Sequence, residues 1–503
     1  MAQRADVLIR GGTLYDGTGA APRTADVVLR GNRIVFVGTA KGWTAKQTID
    51  ARGLIVAPGF IDPHIHASED VMSKDREARQ AGYALMQGIT TVITGNDGGG
   101  PIEIANALAG FTRDSIGPNA ALLVGHGSVR RAVMGSTARD PSPAEVDSMK
   151  RLVDKAMREG AFGMSSGLYY APGSFSKTEE VIALARVVAT HGGLYDSHIR
   201  DESSYTIGLL GGIQEALDIG RGANIRVNIS HIKALGVDVW GRSPDVIALV
   251  KKAQSEGVKV TADQYPWTAS GTGLTSALVP RWAEAGGRDS LLARINDPAI
   301  RPRLVKEMNE NMRRRGGAAS LLMTSVSNPA DRPAALGRTL EAYASAKGQD
   351  PIEAALGIIG TGSAGLASFN MNEADIEMFM RESFVMTGSD GSGGHPRKYG
   401  TYPRKIRNYV LDKPVITMER MIQSSSAQVA EAFAISRRGF VRVGYFADVV
   451  VFDPKTIRDQ ATYAEPRKLA VGMQWVFVNG VAAVATGQLS GALPGSGLNR
   501  TVR

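Results

Sequence analysis

At 503 residues, with 43% apolar and 21% charged residues, the chain can bury a large core and is not of the disordered class. It contains no cysteine, which excludes disulfides, thiolate metal sites and cysteine nucleophiles together and leaves His, Asp and Glu to hold any metal. The net charge of +9 comes from scattered basic residues. The short runs at 313–315 and 437–438 carry no interleaved aromatics, so we expect no nucleic-acid partner.

The opening sixty residues read as short strands and turns, "DVLIRGGTLYDG", "ADVVLRGNRIVFVG" and "TIDARGLIVAPG", with the alternation of a β-meander or sandwich. The start has no apolar run followed by a cleavage site, and nowhere does an apolar stretch approach the ~20 residues of a spanning helix. The expectation is a cytoplasmic protein without a membrane partner. From "GITTVITG" to "VKVTADQYP" strand and helix segments then alternate. Repeats of that length imply a parallel sheet, and their number a closed (β/α)8 TIM-like barrel rather than an open sheet. Residues from about 272 to 350 break the rhythm and predict a mostly helical insertion. The β texture returns in "GFVRVGYFADVVVFDP" and "QWVFVNGVAAVATGQL", so both termini are expected to build one small β-sandwich domain. The expected boundaries are 1–59 and 437–503 for the sandwich and 60–436 for the barrel.

In "GFIDPHIHAS" His64 and His66 lie two apart after an apolar run, which on a strand turns both imidazoles to one side. His198 follows "GLYDS", His231 follows "IRVNIS", and Asp390 sits in "FVMTGSDGSGG", each after an apolar strand. In a barrel these side chains meet at the C-terminal face, as a metal site requires. The other histidines carry weaker signals. His126 reads as a packed residue, His191 as a helix-end residue favoured by the macrodipole, and His395 as either substrate-facing or exposed. Arg200, two after His198, and Lys233, two after His231, are expected to turn towards the same face.

This order of ligands between two halves of a β-sandwich resembles the metal-dependent amidohydrolase superfamily. The motifs "GITTVITGN", "GAFGMSSGLYYAP", "SHIRDE", "ISHIKALG", "ADQYPW" and "GSDGSGGHPRKYGTYPR" are similar, over nearly the whole chain, to the N-acyl-D-amino-acid deacylase (D-aminoacylase) family. The resemblance implies Zn2+, as one or two divalent ions, with His198, His231 and Asp97 holding one and His64, His66 and Asp390 the other. It implies Asp390 as general base and later acid. Lys233 and Tyr265 would meet the carboxylate of the leaving amino acid, with Tyr170 lining the pocket and Arg200 a further candidate. In "TGNDGGG" Asp97 stands where the family has a bridging cysteine, and this harder ligand leaves Mn2+ or Fe2+ open. Ala67 and Ser68 follow the HxH where the family has acidic residues, and "SHIK" replaces SHHK.

The expected activity is hydrolysis of the amide bond of N-acyl-D-amino acids. The alternatives are a related amidohydrolase acting on a dipeptide, natural product or xenobiotic amide, and a catalytically silent barrel scaffold. The expected partner is a small-molecule N-acyl amino acid, with homo-oligomerisation open.

Overall fold

In the computed structural model, which describes residues 3–500, the chain opens with five strands. These are β1 (Gln3–Leu14), β2 (Arg23–Arg30), β3 (Arg33–Gly38), β4 (Trp43–Asp50) and β5 (Ile55–Pro58). Barrel strands follow as β6 (Phe60–Asp62), β7 (Ile89–Thr94), β8 (Asn119–Gly125), β9 (Gly163–Gly167), β10 (Leu194–His198), β11 (Arg226–Ile229) and β12 (Val260–Gln264). Every residue of β7 to β10 is buried, as in parallel strands covered on both faces. Between them run amphipathic helices such as Pro143–Arg158, which Ser142 and Glu145 start with a reciprocal capping box.

After β12 the chain leaves the barrel to form β13 (Ala269–Gly273), β14 (Leu321–Val326) and β15 (Ala364–Phe369), and returns as β16 (Val385–Thr387). The excursion carries expected helices such as Arg288–Asn296 and Arg301–Arg314, and it runs on past residue 350 through the helix Pro351–Thr361. It is organised around a three-stranded antiparallel sheet, with its own core of Leu274, Leu304, Met308, Leu321, Met323 and Ile352. Its strand β13 reads "ASGTG", without a β-branched or aromatic run, and gives no strand signal.

The barrel strands pair in parallel in the order β6-β7-β8-β9-β10-β11-β12-β16. No ladder joins β16 to β6. The ring closes just past their ends, where Asp390 N donates to His64 O at 2.7 Å and His66 N to Gly391 O at 3.0 Å. The last strands, β17 (Val449–Phe452), β18 (Met473–Val478), β19 (Val481–Ala485) and β20 (Gln488–Leu489), join β1 to β5 in one nine-stranded sheet. β5 and β17 pair antiparallel with Val56 opposite Val451, so chain segments some 400 residues apart share a ladder. β1 pairs β4 along its first part and β5 at its end, which folds the sheet over a core including Val27, Ile34, Ile49, Val449 and Phe477. No helix of the described residues is long and apolar enough to cross a membrane.

One buried charge tests this packing. Lys405, 1% exposed, donates to Thr387 Oγ1 at 2.9 Å, and burial, with Arg420 adding repulsion, pushes its ammonium from 10.5 down to about 7. Between those values the unfolded chain binds more protons than the folded one, so this group makes stability rise with pH from about 7 towards 10.5. Lys405→Met is expected to raise the thermal unfolding midpoint more at pH 7 than at pH 9.5. Equal shifts at both pH values would show that Lys405 keeps its proton in the fold.

Candidate metal centre

Six side chains converge at the C-terminal ends of the first, second, fifth, sixth and eighth barrel strands. His64 and His66 follow β6, Asp97 follows β7, His198 ends β10, His231 follows β11 and Asp390 follows β16. Asp97, His231 and Asp390 take left-handed backbone, at φ 55°, 35° and 46°. Non-glycine residues there cost about 1–3 kcal/mol each and persist only where the surroundings over-determine them. The glycines after Asp97 answer a close approach: a Cβ on Gly98 would lie 2.8 Å from the Gly167 backbone nitrogen.

The Asp97 carboxylate is the middle of the cluster. Its Oδ1 lies 3.4 Å from His64 Nε2 and 3.5 Å from both His198 Nδ1 and His231 Nε2, while Oδ2 lies 3.4 Å from His66 Nε2. Asp390 Oδ1 stands 3.2 Å from His66 Nε2 and 3.7 Å from His64 Nε2. Most of these separations are long for hydrogen bonds and close to the edge, about 3.3 Å, of a tetrahedron of nitrogen and oxygen ligands around a zinc-sized ion. His64 Nε2 and Asp97 Oδ1 are buried without a hydrogen-bond partner, as donors waiting for a cation would be. The four imidazoles and two carboxylates therefore fit divalent-ion binding.

The charges are tuned by this crowding. Burial opposes ionisation of Asp97, but the imidazoles of His64 and His198 outweigh it and hold the carboxyl well below its usual range. Burial likewise opposes Asp390, and the Arg397 guanidinium and His231 hold it low. Arg397, which sequence reasoning did not assign, pairs through Nη1 with Asp390 Oδ2 at 2.8 Å. Its only signal was its place in "GGHPRKYG" shortly after the aspartate.

Glu202 was also missed, though it lies in the quoted "SHIRDE". Its Oε1 is 2.5 Å from Lys233 Nζ and 3.2 Å from His231 Nδ1, and its Oε2 is 3.9 Å from His198 Nε2. A histidine that gives Nε2 to a metal carries its proton on Nδ1, and Glu202 is the acceptor in reach of that proton on His231.

The expected substrate residues divide. Tyr170, Lys233 and Tyr265 line the cleft of about 1090 Å³ that holds the cluster. The Tyr170 ring is 4.7 Å from the His198 ring, and Tyr265 lies between Lys233 and Arg397. Lys233 is not a free cation, since Glu202 already neutralises it. Arg200 does not reach the cleft. It pairs with Glu215 at 2.8 Å and donates to the Ser174 and Ser176 carbonyls at 3.0 and 2.9 Å. Position 200 lies past the end of β10, where the guanidinium is held by Glu215 and two loop carbonyls. His395 is buried beside the cleft, contacting the Ala269 carbonyl at 3.1 Å, and is not exposed. His126 is packed against Glu180 at 2.9 Å, and His191 caps Thr178–Thr190 beside Asp154.

A parallel barrel with histidines and aspartates gathered at its C-terminal strand ends is the architecture of metal-dependent hydrolases of the amidohydrolase class. Residues 47–484 match the Amidohydrolase family, and the chain belongs to it, within the N-acyl-D-amino-acid deacylase branch. It is 31% identical to the D-aminoacylase of Alcaligenes xylosoxydans xylosoxydans over 99% of each chain. It is 32% identical to the N-acyl-D-glutamate deacylase of the same organism, over 96% of this chain and 94% of that one. The structure of N-acyl-D-glutamate deacylase from Bordetella bronchiseptica, complexed with zinc and a phosphonate inhibitor, superposes with a TM-score of 0.84 at 31% identity, covering 99% of this chain and 100% of that chain.

Glu202→Gln keeps the shape and removes the charge that orients His231. It is expected to lower divalent-ion affinity by about 10–100-fold with the circular dichroism spectrum unchanged. Elemental analysis after dialysis against metal buffers reads the loss, and undiminished affinity would remove Glu202 from the support of the centre.

Proposed function

We propose that this protein hydrolyses the amide bond of N-acyl-D-amino acids with zinc as its resident ion. The observation that carries the reading is the Asp97 carboxylate set among four imidazoles on the strand ends, in a chain of the deacylase branch. His198, His231 and Asp97 would hold one ion, and His64, His66 and Asp390 a second. A bound divalent ion supplies a lowered water pKa, towards about 7, and polarisation of the scissile carbonyl.

The rest falls to the side chains. Asp390, ionised and anchored through its Oδ2 by Arg397, takes the proton of the attacking water and returns it to the leaving amine, acting first as base and then as acid. Lys233 and Tyr265 line the wall that meets the carboxylate of the leaving amino acid, and Tyr170 bounds the pocket beside His198. Glu202 pairs with Lys233 at 2.5 Å and holds its Nζ in that wall. Arg200 has no part in this wall. A silent scaffold has no use for three strained ligand residues, and their presence argues against it.

The test is elemental analysis of the purified protein beside Asp97→Ala, with assays of amino-acid release from N-acyl-D- and N-acyl-L-amino acids. The expected result is stoichiometric zinc, partly lost in Asp97→Ala, and release of D-amino acids that a chelator abolishes and zinc restores. Absence of metal, or refusal of every N-acyl-D-amino acid, would overturn the reading. Asp390→Asn is expected to lower kcat by about 10²–10⁴-fold while the protein stays folded, and near-normal kcat would remove Asp390 from proton transfer.

A further inference from the structure

Four arginines are buried in the described residues, Arg130, Arg315, Arg397 and Arg438. Three have a carboxylate: Arg130 pairs with Glu180, Arg397 with Asp390 and Arg438 with Asp448. Arg315, 2% exposed, has none within 4.0 Å among the described residues. Its neighbours are neutral. Nη1 lies 3.4 Å from Ser368 Oγ and, with the Asn370 amide turned to satisfy its own bonds, 3.2 Å from the Asn370 oxygen. Nη2 lies 3.3 Å from the Tyr169 hydroxyl, and Nε has no hydrogen-bond partner. A desolvated guanidinium without a counter-charge is unfavourable, and the helix Arg301–Arg314 that Arg315 caps offers only the partial charge of its C-terminus.

This cation is not sealed away. Arg315 lines the same cleft as His66, His198 and Asp390. The Tyr169 ring stands between, its centroid 5.8 Å from that of His198 and its hydroxyl at Arg315. Arg315 therefore lies about one tyrosine side chain beyond the metal centre. The nearby wall is polar, with Ser270 and Thr272 lining it, and the other cation beside Tyr169, Arg281, is already paired with Glu284.

We propose that Arg315 binds a second carboxylate of the substrate, remote from the scissile amide. That group is either the side chain of an acidic D-amino acid or the far end of a dicarboxylic acyl group. The planar guanidinium suits a carboxylate, and its single charge matches one. The inference rests on the deacylase reading and names the substrate class of that site.

The experiment compares kcat/KM of the wild-type zinc enzyme, Arg315→Met and Arg315→Lys on two acid and neutral pairs: N-acetyl-D-glutamate with N-acetyl-D-glutamine, and N-succinyl-D-leucine with N-butyryl-D-leucine. The wild type is expected to prefer the acid at least tenfold in one pair, which identifies the source of the carboxylate. Arg315→Met is expected to erase at least tenfold of that preference, mainly through KM. Arg315→Lys, with charge but no fork, is expected to keep part of it. No acid preference in either wild-type pair, or equal losses on acid and neutral partners in the variants, would overturn the proposal. Where no N-acyl amino acid is turned over, the deacylase reading fails, and calorimetry with glutarate and its monoamide decides the rest. Tighter glutarate binding that Arg315→Met or Arg315→Lys weakens tenfold supports an anion site at Arg315, and equal binding of the two probes ends it.

Discussion

The site depends on how an eight-stranded ring closes when its first and last strands are only three residues long. β6 and β16 share no ladder, and what joins them lies just beyond, where His64 and His66 exchange backbone hydrogen bonds with Asp390 and Gly391. Side chains reinforce this seam. Asp62 accepts from the backbone nitrogens of both His64 and Ser389, and the Tyr402 hydroxyl reaches the carbonyls of Ile61 and Thr387 at 3.2 and 3.0 Å. Closing the barrel and positioning half of the candidate ligands are therefore one event. A change that opened the seam would move His64, His66 and Asp390 together.

The strain at the strand ends has a matching source of support one layer down. Asp263 accepts from His231 N at 3.0 Å, where the backbone turns left-handed, and Asn228 ties Asp263 to Asp196. Asn96, beside the strained Asp97, donates to Pro63 O and accepts from Ile65 N, so it fastens the second strand end to the first. These buried acids and amides are not apolar filler. They form a polar floor whose hydrogen bonds support the left-handed backbone at the strand ends.

His64, His66, His198, His231 and Asp390 were legible because each combined a ligand-type side chain with the end of an apolar strand, whereas Asp97 was reached only through the resemblance of "TGNDGGG" to the family motif. The barrel and the two-ended β domain were legible from periodicity. What failed did so for stated reasons. The two-residue relation expected to turn Arg200 to the face of His198 does not hold, because Glu215 on the following helix takes the guanidinium. The pairing of Lys233 with Glu202, 31 residues earlier, is one that sequence spacing cannot show. In the sheet of β13 to β15 the strands β13 and β15 are rich in glycine, alanine and serine and look like loop until they pair with each other and with β14.

Charge balance ties the centre to the rest of the cleft. The replacement of a thiolate by Asp97 gives the middle of the cluster two oxygens rather than one sulfur, and they face different histidines. The carboxylates here serve two ends at once. Asp390 meets the histidines through one oxygen and Arg397 through the other, and Glu202 meets His231 and Lys233. Arg397 and Lys233 are thus each held by an acid that also faces a candidate ligand. Arg315 is outside that arrangement. Its placement by the insertion rather than by a barrel strand separates the part of the cleft that performs chemistry from a part free to vary with the substrate.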